Sequence, residues 1–290
     1  MKNFVISLFV IAEILFMANC TMQSKNNALS TSGQIEQEAN TNDYPTPTIT
    51  DNMVVAHRGC VREFGNPDNS MAALQKAIDL KLYASECDIY ITKDDKVVVC
   101  HDADFHDLII MNATYDELRA AGTLSNGEEL PLLEDYIDKV LKGGVTRLWV
   151  DIKTVSDKYG GYEWSVKAGK AAAEIVRQKK AKNFVGFFAG SIPVFNEVFD
   201  SVGDDWEFSH CHFIYTPDQF VSQNIKWGHF NIAETGLDSD LVKRYQDKNI
   251  RVSIYNFDTD EQIAWYHTLN NVYACTNYPA KILATLGLER

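Results

Sequence analysis

The sequence has 290 residues, of which 46% are hydrophobic and 23% are charged, so the chain can form one large globular domain with a substantial core. The formal net charge is −13, which argues against a nucleic-acid phosphate binder because that function needs a basic face. A small phosphate-containing ligand is still compatible with this charge, because a few local cations can outweigh the overall field.

Residues 1–20 have the pattern of a secretory signal peptide. Lys2 precedes an apolar run from Phe4 to Met17, which is shorter than the ~20 apolar residues that span a bilayer. Cys20 follows this run, which indicates a lipoprotein signal, cleaved before Cys20 and lipidated there. The alternatives are cleavage elsewhere and an uncleaved anchor. The sequence therefore predicts an exported bacterial lipoprotein, periplasmic or anchored in the outer membrane.

Residues 21–51 are rich in Asn, Ser, Thr, Gln and Glu, and they cannot bury enough apolar surface to order themselves. We expect them to form a flexible polar tether between the membrane and a folded domain over residues 52–290.

Strand and helix patterns alternate through the predicted domain. Eight apolar strand patterns are counted, beginning near residues 53, 83, 97, 147, 184, 207 or 228, 251 and 272. Helical spacings lie between most of them, which is typical of parallel strands with helical crossovers. Eight strands in a domain of this size predict a (βα)8 TIM barrel with a short insertion after strand 3. A doubly wound sheet is the second choice.

Two carboxylates in the second predicted strand indicate a metal site. Glu86 and Asp88 are two residues apart, so their side chains point to the same face. A hard divalent cation would relieve the repulsion between them. Asp151, in the strand near residue 147, can add a third oxygen ligand from across the barrel. Solvated acids at strand edges are the structural alternative.

Histidines and cations flank these acids at predicted strand ends, where barrel enzymes place their chemistry. His57 and His101 follow two apolar strands, and histidine can donate or accept a proton near neutral pH. Arg58 and Lys153 are cations that can hold a phosphate. Together these residues indicate metal-assisted phosphoryl transfer.

Several motifs resemble the glycerophosphodiester phosphodiesterase family, and they occur in family order. They are AHRG (56–59), NPDNS (66–70), the E-x-D of SECDIYITKDDKVVV (85–99), HD (101–102), LPLLEDYI (130–137), DIK (151–153), VSIYN (252–256) and CTNYP (275–279). The resemblance implies a (βα)8 barrel that hydrolyses a small-molecule glycerophosphodiester to glycerol 3-phosphate and an alcohol.

The resemblance also implies roles for individual residues. His57 and His101 match the acid/base pair, and Arg58 and Lys153 match the phosphate contacts. Glu86 and Asp88 match two ligands of one divalent cation, Mg²⁺ or Ca²⁺. The sequence does not assign acid and base between the histidines, nor does it give an oligomeric state.

The chain departs from the family pattern at several positions. Asp151 stands where the third metal ligand is usually Glu, Ser253 stands where an inward Trp is usual, and Asn277 stands where Asp is usual. Because both histidines, both cations and E-x-D are retained, we expect an active enzyme. The alternative is a phosphodiester-binding lipoprotein on the same barrel that is non-catalytic or has altered specificity.

Overall fold

Eight parallel strands close into a barrel in the computed structural model, which describes residues 44–203, 206–211, 215–234 and 236–290. The strands in chain order are β1 (Val54–Ala56), β2 (Ala84–Ile91), β3 (Val97–Val99), β4 (Asp104–Phe105), β5 (Leu108–Ile109), β6 (Arg147–Ile152), β7 (Val185–Ala189), β8 (Glu207–Cys211), β9 (Trp227–Asn231), β10 (Arg251–Tyr255) and β11 (Val272–Thr276). The order around the barrel is β1-β11-β10-β9-β8-β7-β6-β2, and a β1–β2 pairing closes the ring. The predicted TIM barrel is confirmed.

Helices cover the outside of this barrel. The helices in chain order are α1 (Met71–Asp79), α2 (Tyr115–Ala121), α3 (Leu133–Gly143), α4 (Tyr162–Gln178), α5 (Ile192–Val202), α6 (Pro217–Ser222), α7 (Ser239–Gln246), α8 (Asp260–Tyr266) and α9 (Pro279–Thr285), of which α2 belongs to the insertion after β3. The described residues contain no helix with the length and apolar character needed to cross a membrane.

The third predicted strand is not part of the barrel. β3 runs antiparallel to β2, with Tyr90 opposite Val98. The turn between these strands is too short for the crossover that a parallel pair requires. Both candidates for the sixth strand, β8 and β9, are barrel strands instead and lie side by side. The insertion therefore follows a hairpin on the second barrel strand.

The insertion after β3 has its own small core. β4 and β5 form a hairpin, and α2 begins with a capping box in which Thr114 and Glu117 bond each other's backbone. Phe105 and Leu118 are buried together with Tyr90 of β2. This cluster fixes the insertion, including the segment that carries His101, against the side of the barrel.

Residues 44–51, which the sequence assigns to the tether, lie against the barrel. The Thr48 amide donates to the Gly144 carbonyl at 2.8 Å, and the Asn183 side chain donates to the Tyr44 carbonyl at 3.3 Å. Gly144 and Asn183 precede β6 and β7, so these contacts lie at the N-terminal ends of the barrel strands. The chain therefore enters the barrel at the end opposite to the C-terminal ends of the strands.

Side chains on each strand alternate between the barrel interior and the helix layer. Val150 of β6 belongs to the large core between strands and helices, whereas Trp149 packs inside the barrel against Trp227 with ring centroids 4.4 Å apart. Asp151 lies two residues after Trp149 and therefore faces the interior as well. These large rings fill the barrel interior on the N-terminal side of Asp151, and the polar residues lie nearer the C-terminal ends of the strands.

Candidate active site

A cavity of about 120 Å³ opens at the C-terminal end of the barrel and brings all the predicted site residues together. Its walls include the seven predicted residues His57, Arg58, Glu86, Asp88, His101, Asp151 and Lys153. The structure therefore places the two histidines, three carboxylates and two cations around one space, although they come from separate parts of the chain.

Register between neighbouring strands assembles the three acids. Asp88 of β2 lies directly beside Asp151 of β6, and Glu86 precedes Asp88 by two residues on the same inward face. Oxygen atoms of all three carboxylates lie within 4.8 Å of one another. In the parts of the chain that the structure describes, this is the one group of His, Cys, Asp or Glu side chains with such metal-ligand spacing.

Burial and mutual repulsion make the acids costly to ionise together. Burial, with Asp88 and Asp151 nearby, raises the pKa of Glu86 well above its usual value. Burial raises the pKa of Asp151 to about 6, although Lys153 opposes the shift. The pKa of Asp88 is lowered, because Lys153 and Arg58 outweigh the effect of burial. Without a further cation the site has too little positive charge for three carboxylates.

Lys153 and Arg58 provide the positive charge that the site does have. Lys153 Nζ lies 3.2 Å from an oxygen of Asp88 and 3.2 Å from an oxygen of Asp151. Arg58 Nε lies 3.5 Å from Asp88, and its Nη1 donates to Asp68 at 2.8 Å. Burial alone would lower the pKa of both cations, but the neighbouring carboxylates outweigh it and raise both.

The loop after β1 is shaped to hold Arg58 over the acids. The Arg58 amide donates to Glu86 Oε2 at 2.7 Å, and the residue has a positive φ of 55°. Gly59 follows with φ of 84°, and a Cβ there would lie 2.6 Å from Ala73 Cβ in α1. Glycine is required because the loop packs directly on α1.

Asn69, in the same connection between β1 and α1, braces Asp88. Its side-chain amide donates to Asp88 Oδ2 at 2.8 Å, and its side-chain oxygen accepts the Asp88 amide at 3.2 Å. The next residue, Ser70, caps α1 by accepting the Ala73 amide. The NPDNS motif therefore both starts the helix and orients one predicted metal ligand.

His57 follows β1 directly and is held through its Nδ1 atom. Nδ1 lies 3.0 Å from Asn277 Oδ1, and the His57 backbone amide donates to the Thr276 carbonyl at 3.0 Å. Burial and the nearby Arg58 lower the pKa of His57. The neutral imidazole is therefore favoured, which suits a proton acceptor.

His101 lies on the other side of the cavity, at the end of the antiparallel strand β3 rather than of a barrel strand. Its Nδ1 lies 2.8 Å from Asp102 Oδ1, and its side chain is 35% exposed. An imidazolium at this position can donate one proton to Asp102 and keep the other for a ligand in the cavity. The two histidines thus have different surroundings and suit different tasks.

Four wall residues were not predicted from the sequence: Phe188, Cys211, His229 and Tyr255. His229 is stacked on Tyr255 with ring centroids 4.5 Å apart, and its Nδ1 lies 2.7 Å from Ser253 Oγ. Trp227 Nε1 also donates to Ser253 Oγ at 2.8 Å. The serine at the usual Trp position therefore bonds an indole and an imidazole from the neighbouring strand.

The donor set fits a hard divalent cation. Three carboxylates with oxygen atoms this close, and no thiolate or imidazole among them, match the oxygen ligands that Mg²⁺ and Ca²⁺ prefer. The raised pKa values of Glu86 and Asp151 show that the fully ionised cluster needs further positive charge, which a divalent cation supplies. Asp151, although shorter than the usual Glu, lies within reach of the other two ligands.

Comparisons with known proteins give a family match. The sequence model of the Glycerophosphoryl diester phosphodiesterase family matches residues 57–281. A glycerophosphodiester phosphodiesterase of Bacillus altitudinis is 24% identical over 238 residues, which cover 78% of this chain and 94% of that protein. The rat lysophospholipase D GDPD1 is 38% identical over a stretch of 65 residues, which covers 22% of this chain and 20% of that protein.

Solved structures share the fold. A glycerophosphodiester phosphodiesterase from Parabacteroides distasonis is 24% identical, with a TM-score of 0.73 over 84% of this chain and 98% of that one. An Oleispira antarctica phosphodiesterase, solved with the product sn-glycerol-3-phosphate, is 16% identical, with a TM-score of 0.66 over 81% of this chain and 96% of that one. Because the family match extends over most of the barrel, from His57 to Lys281, the chain belongs to the glycerophosphodiester phosphodiesterase family.

Proposed function

We propose that the protein hydrolyses glycerophosphodiesters to glycerol 3-phosphate and an alcohol, with one divalent cation, His57 as general base and His101 as general acid. The observation that carries this proposal is the meeting of three buried acids, two cations and two histidines around one small cavity. The family to which the chain belongs supplies the reaction class.

The cations hold the phosphodiester in place. Arg58 and Lys153 line the cavity, and both are partly buried, so their interaction with a phosphate is stronger than it would be in water. Lys153 is at the same time shared with Asp88 and Asp151, which fixes its position. We expect the phosphate to bind between these two positive groups and the carboxylate cluster.

The histidines move the protons. His57, whose pKa is lowered, accepts the proton of the attacking hydroxyl, which belongs to water or to the substrate's own glycerol. His101, which can be held by Asp102, donates a proton to the leaving alcohol. Each of these two proton transfers contributes about 10²–10⁴-fold to the rate.

Glu86, Asp88 and Asp151 would hold the cation, Mg²⁺ or Ca²⁺. When bound, such an ion supplies positive charge that stabilises the developing negative charge on the phosphate oxygens. The alternative, a protein that binds phosphodiesters without cleaving them, is less well supported because both proton-transfer residues line the cavity.

A substrate panel tests the proposal. The purified protein is incubated with several glycerophosphodiesters and lysophospholipids in Mg²⁺, Ca²⁺ or chelator, and the release of glycerol 3-phosphate from the former and of lysophosphatidate from the latter is measured. We expect release that depends on the cation. Binding of phosphodiesters without any release would instead favour the alternative.

Leaving-group dependence tests the assignment of acid and base. The p-nitrophenolate group needs little protonation as it leaves. His101→Gln should therefore lose much less activity on a p-nitrophenyl phosphodiester than on an alkyl phosphodiester. His57→Gln should lose activity on both. His267→Gln is the matched control, because His267 is a surface histidine whose ring bonds to Thr285 and which lies outside the cavity. Equal losses for His101→Gln on both esters would refute its role as acid.

We further propose that the protein is an exported lipoprotein attached to a membrane through Cys20. Support comes from the sequence of residues 1–20, which lie outside the described residues. Metabolic labelling with a fatty acid should label the wild-type protein in its bacterial host but not the Cys20→Ala variant. Labelling of both proteins would refute attachment at this residue.

A further inference from the structure

His57 is the first member of a hydrogen-bonded chain that leads away from the cavity. Its Nδ1 atom lies 3.0 Å from Asn277 Oδ1, and Asn277 Nδ2 donates to Asp258 Oδ2 at 2.6 Å. Asp258 follows β10 and Asn277 follows β11, so two adjacent loops supply the chain. Neither residue lines the cavity, and neither has a role in the reaction described above.

Asp258 fixes the orientation of the Asn277 amide. A carboxylate only accepts hydrogen bonds, so the side of the amide that faces Asp258 must be the NH₂ group. The Asn277 backbone amide also donates to Asp258, at 2.9 Å, and Thr276 Oγ lies 3.2 Å from it. The carboxylate is thus held from several directions and cannot turn away.

The fixed amide in turn fixes the proton on His57. With its NH₂ group on Asp258, Asn277 presents its oxygen to His57 Nδ1, and an oxygen acceptor requires Nδ1 to carry hydrogen. Asn256 Nδ2 lies 3.5 Å from the same nitrogen, too far to compete with the 3.0 Å contact. Neutral His57 then has its lone pair on Nε2.

We propose that Asp258 is a positioning residue that acts through Asn277 to hold neutral His57 in the tautomer with hydrogen on Nδ1, which leaves Nε2 as the proton acceptor. This inference rests on the proposed role of His57 as general base. It concerns a side chain that touches neither the substrate nor the metal ligands, and it assigns a purpose to the Asn277 side chain.

Replacing Asp258 by asparagine should reverse the whole chain. The Asn277 backbone amide still needs an acceptor, so the oxygen of the new side chain faces that amide and its NH₂ group faces the Asn277 side chain. The Asn277 amide then turns over and presents its own NH₂ to His57. Hydrogen on His57 moves to Nε2, and the base is lost.

Nuclear magnetic resonance measures the tautomer directly. Long-range proton–nitrogen correlation spectra of the full-length protein, with ring nitrogens labelled, distinguish the Nδ1–H and Nε2–H forms of neutral histidine; His57→Gln assigns the signals. We expect Nδ1–H in the wild-type protein and Nε2–H in Asp258→Asn. Nε2–H in the wild-type protein would overturn the inference whatever happens to the variants.

Activity gives a second readout. We expect kcat of Asp258→Asn to fall by about 10²–10⁴-fold, the range for loss of a general base or of its correct tautomer. Asp260→Asn is the matched control, since Asp260 is exposed, pairs with Lys281 and has no contact with the chain to His57. An Asp258→Asn protein with the tautomer and the rate of the control would overturn the inference.

Exchange of the two side chains should rescue the defect. In the double variant with Asp258→Asn and Asn277→Asp, the amide at position 258 donates to the carboxylate at 277, which can again accept from His57 Nδ1. We expect Nδ1–H to return and kcat to rise by roughly tenfold or more over the single variant. A double variant that keeps the Nε2–H form would contradict the mechanism of positioning.

These measurements separate the inference from the proposed function. If Asp258→Asn changes the tautomer but leaves phosphodiester hydrolysis unchanged, the positioning chain stands and the base role of His57 fails. If neither the tautomer nor the rate changes, the positioning inference fails and the proposed function is untouched. Should Asp258→Asn not fold, Nε2–H in the wild-type spectrum would still overturn the inference, and the double variant tests whether positions 258 and 277 act together.

Discussion

Lys153 can be tested as the charge that keeps two buried acids together. Lys153→Met removes the ammonium group but keeps most of the methylene stem, so packing changes little. Lys153 lies between Asp88 and Asp151 in the wild-type protein. Without its charge, these two carboxylates and the nearby Glu86 repel one another unopposed. We expect a large loss of stability in chelator and a fall in phosphodiesterase activity.

The geometry gives the size of the effect. Each of the two Nζ–oxygen distances is 3.2 Å, which corresponds to about 5 kcal/mol of attraction at an effective dielectric constant of about 20. Part of this is offset by the cost of burying the ammonium group. Loss of one partner from a buried pair costs about 3–5 kcal/mol net, a large share of the roughly 5–15 kcal/mol that stabilises a typical domain.

Denaturant unfolding followed by tryptophan fluorescence measures this loss, because Trp149 and Trp227 are buried inside the barrel. The matched control is Lys243→Met, which breaks a surface pair with Asp247 and should cost less than about 1 kcal/mol. Mg²⁺ or Ca²⁺ should restore much of the stability of Lys153→Met. If Lys153→Met unfolds like the control in chelator, Lys153 does not neutralise the acids in this way.

Two further predictions concern the loop after β1 and the acid cluster. Gly59→Ala should lose at least about 1 kcal/mol more stability than the control Gly127→Ala. Both glycines have positive φ, but only at Gly59 would a Cβ collide with Ala73. Equal losses in denaturant unfolding would contradict this. In chelator the pKa of Asp151 is about 6, above its value in an unfolded chain, so its contribution to stability is present at low pH and is lost as pH rises through 6. A divalent cation competes with protons for the carboxylates of the cluster, so it should raise the melting temperature more at about pH 8 than at about pH 5. Equal shifts at the two pH values would count against a cation at these carboxylates.

The residues of the site could be predicted because each stands at a recognisable place in the sequence. His57 and Lys153 each follow an apolar strand directly, and Glu86 and Asp88 share one face of another. A barrel brings strand ends together, so sequence position alone was enough to group them. His101 also lines the cavity, although the sequence wrongly assigns its strand to the barrel, because the antiparallel strand β3 ends beside the same opening.

The other residues that line the cavity could not be predicted, because their positions depend on how the barrel closes. Phe188, Cys211 and His229 look like ordinary strand residues, and only the register of β7, β8 and β9 brings them to one cavity. The chain from Asp258 through Asn277 depends on the conformations of two loops, which no periodic pattern encodes. Sequence reasoning therefore groups the predicted site residues, but it does not identify the other side chains that line the cavity or orient those residues.

The entry of the chain at the N-terminal ends of the strands has a consequence for how substrates arrive. Thr48 and Tyr44 bond to Gly144 and Asn183 at that end, and the cavity opens at the other. Residues 44–51 therefore lie at the end of the barrel away from the opening of the cavity. A phosphodiester can therefore reach the cavity without passing these residues, which take no part in its walls.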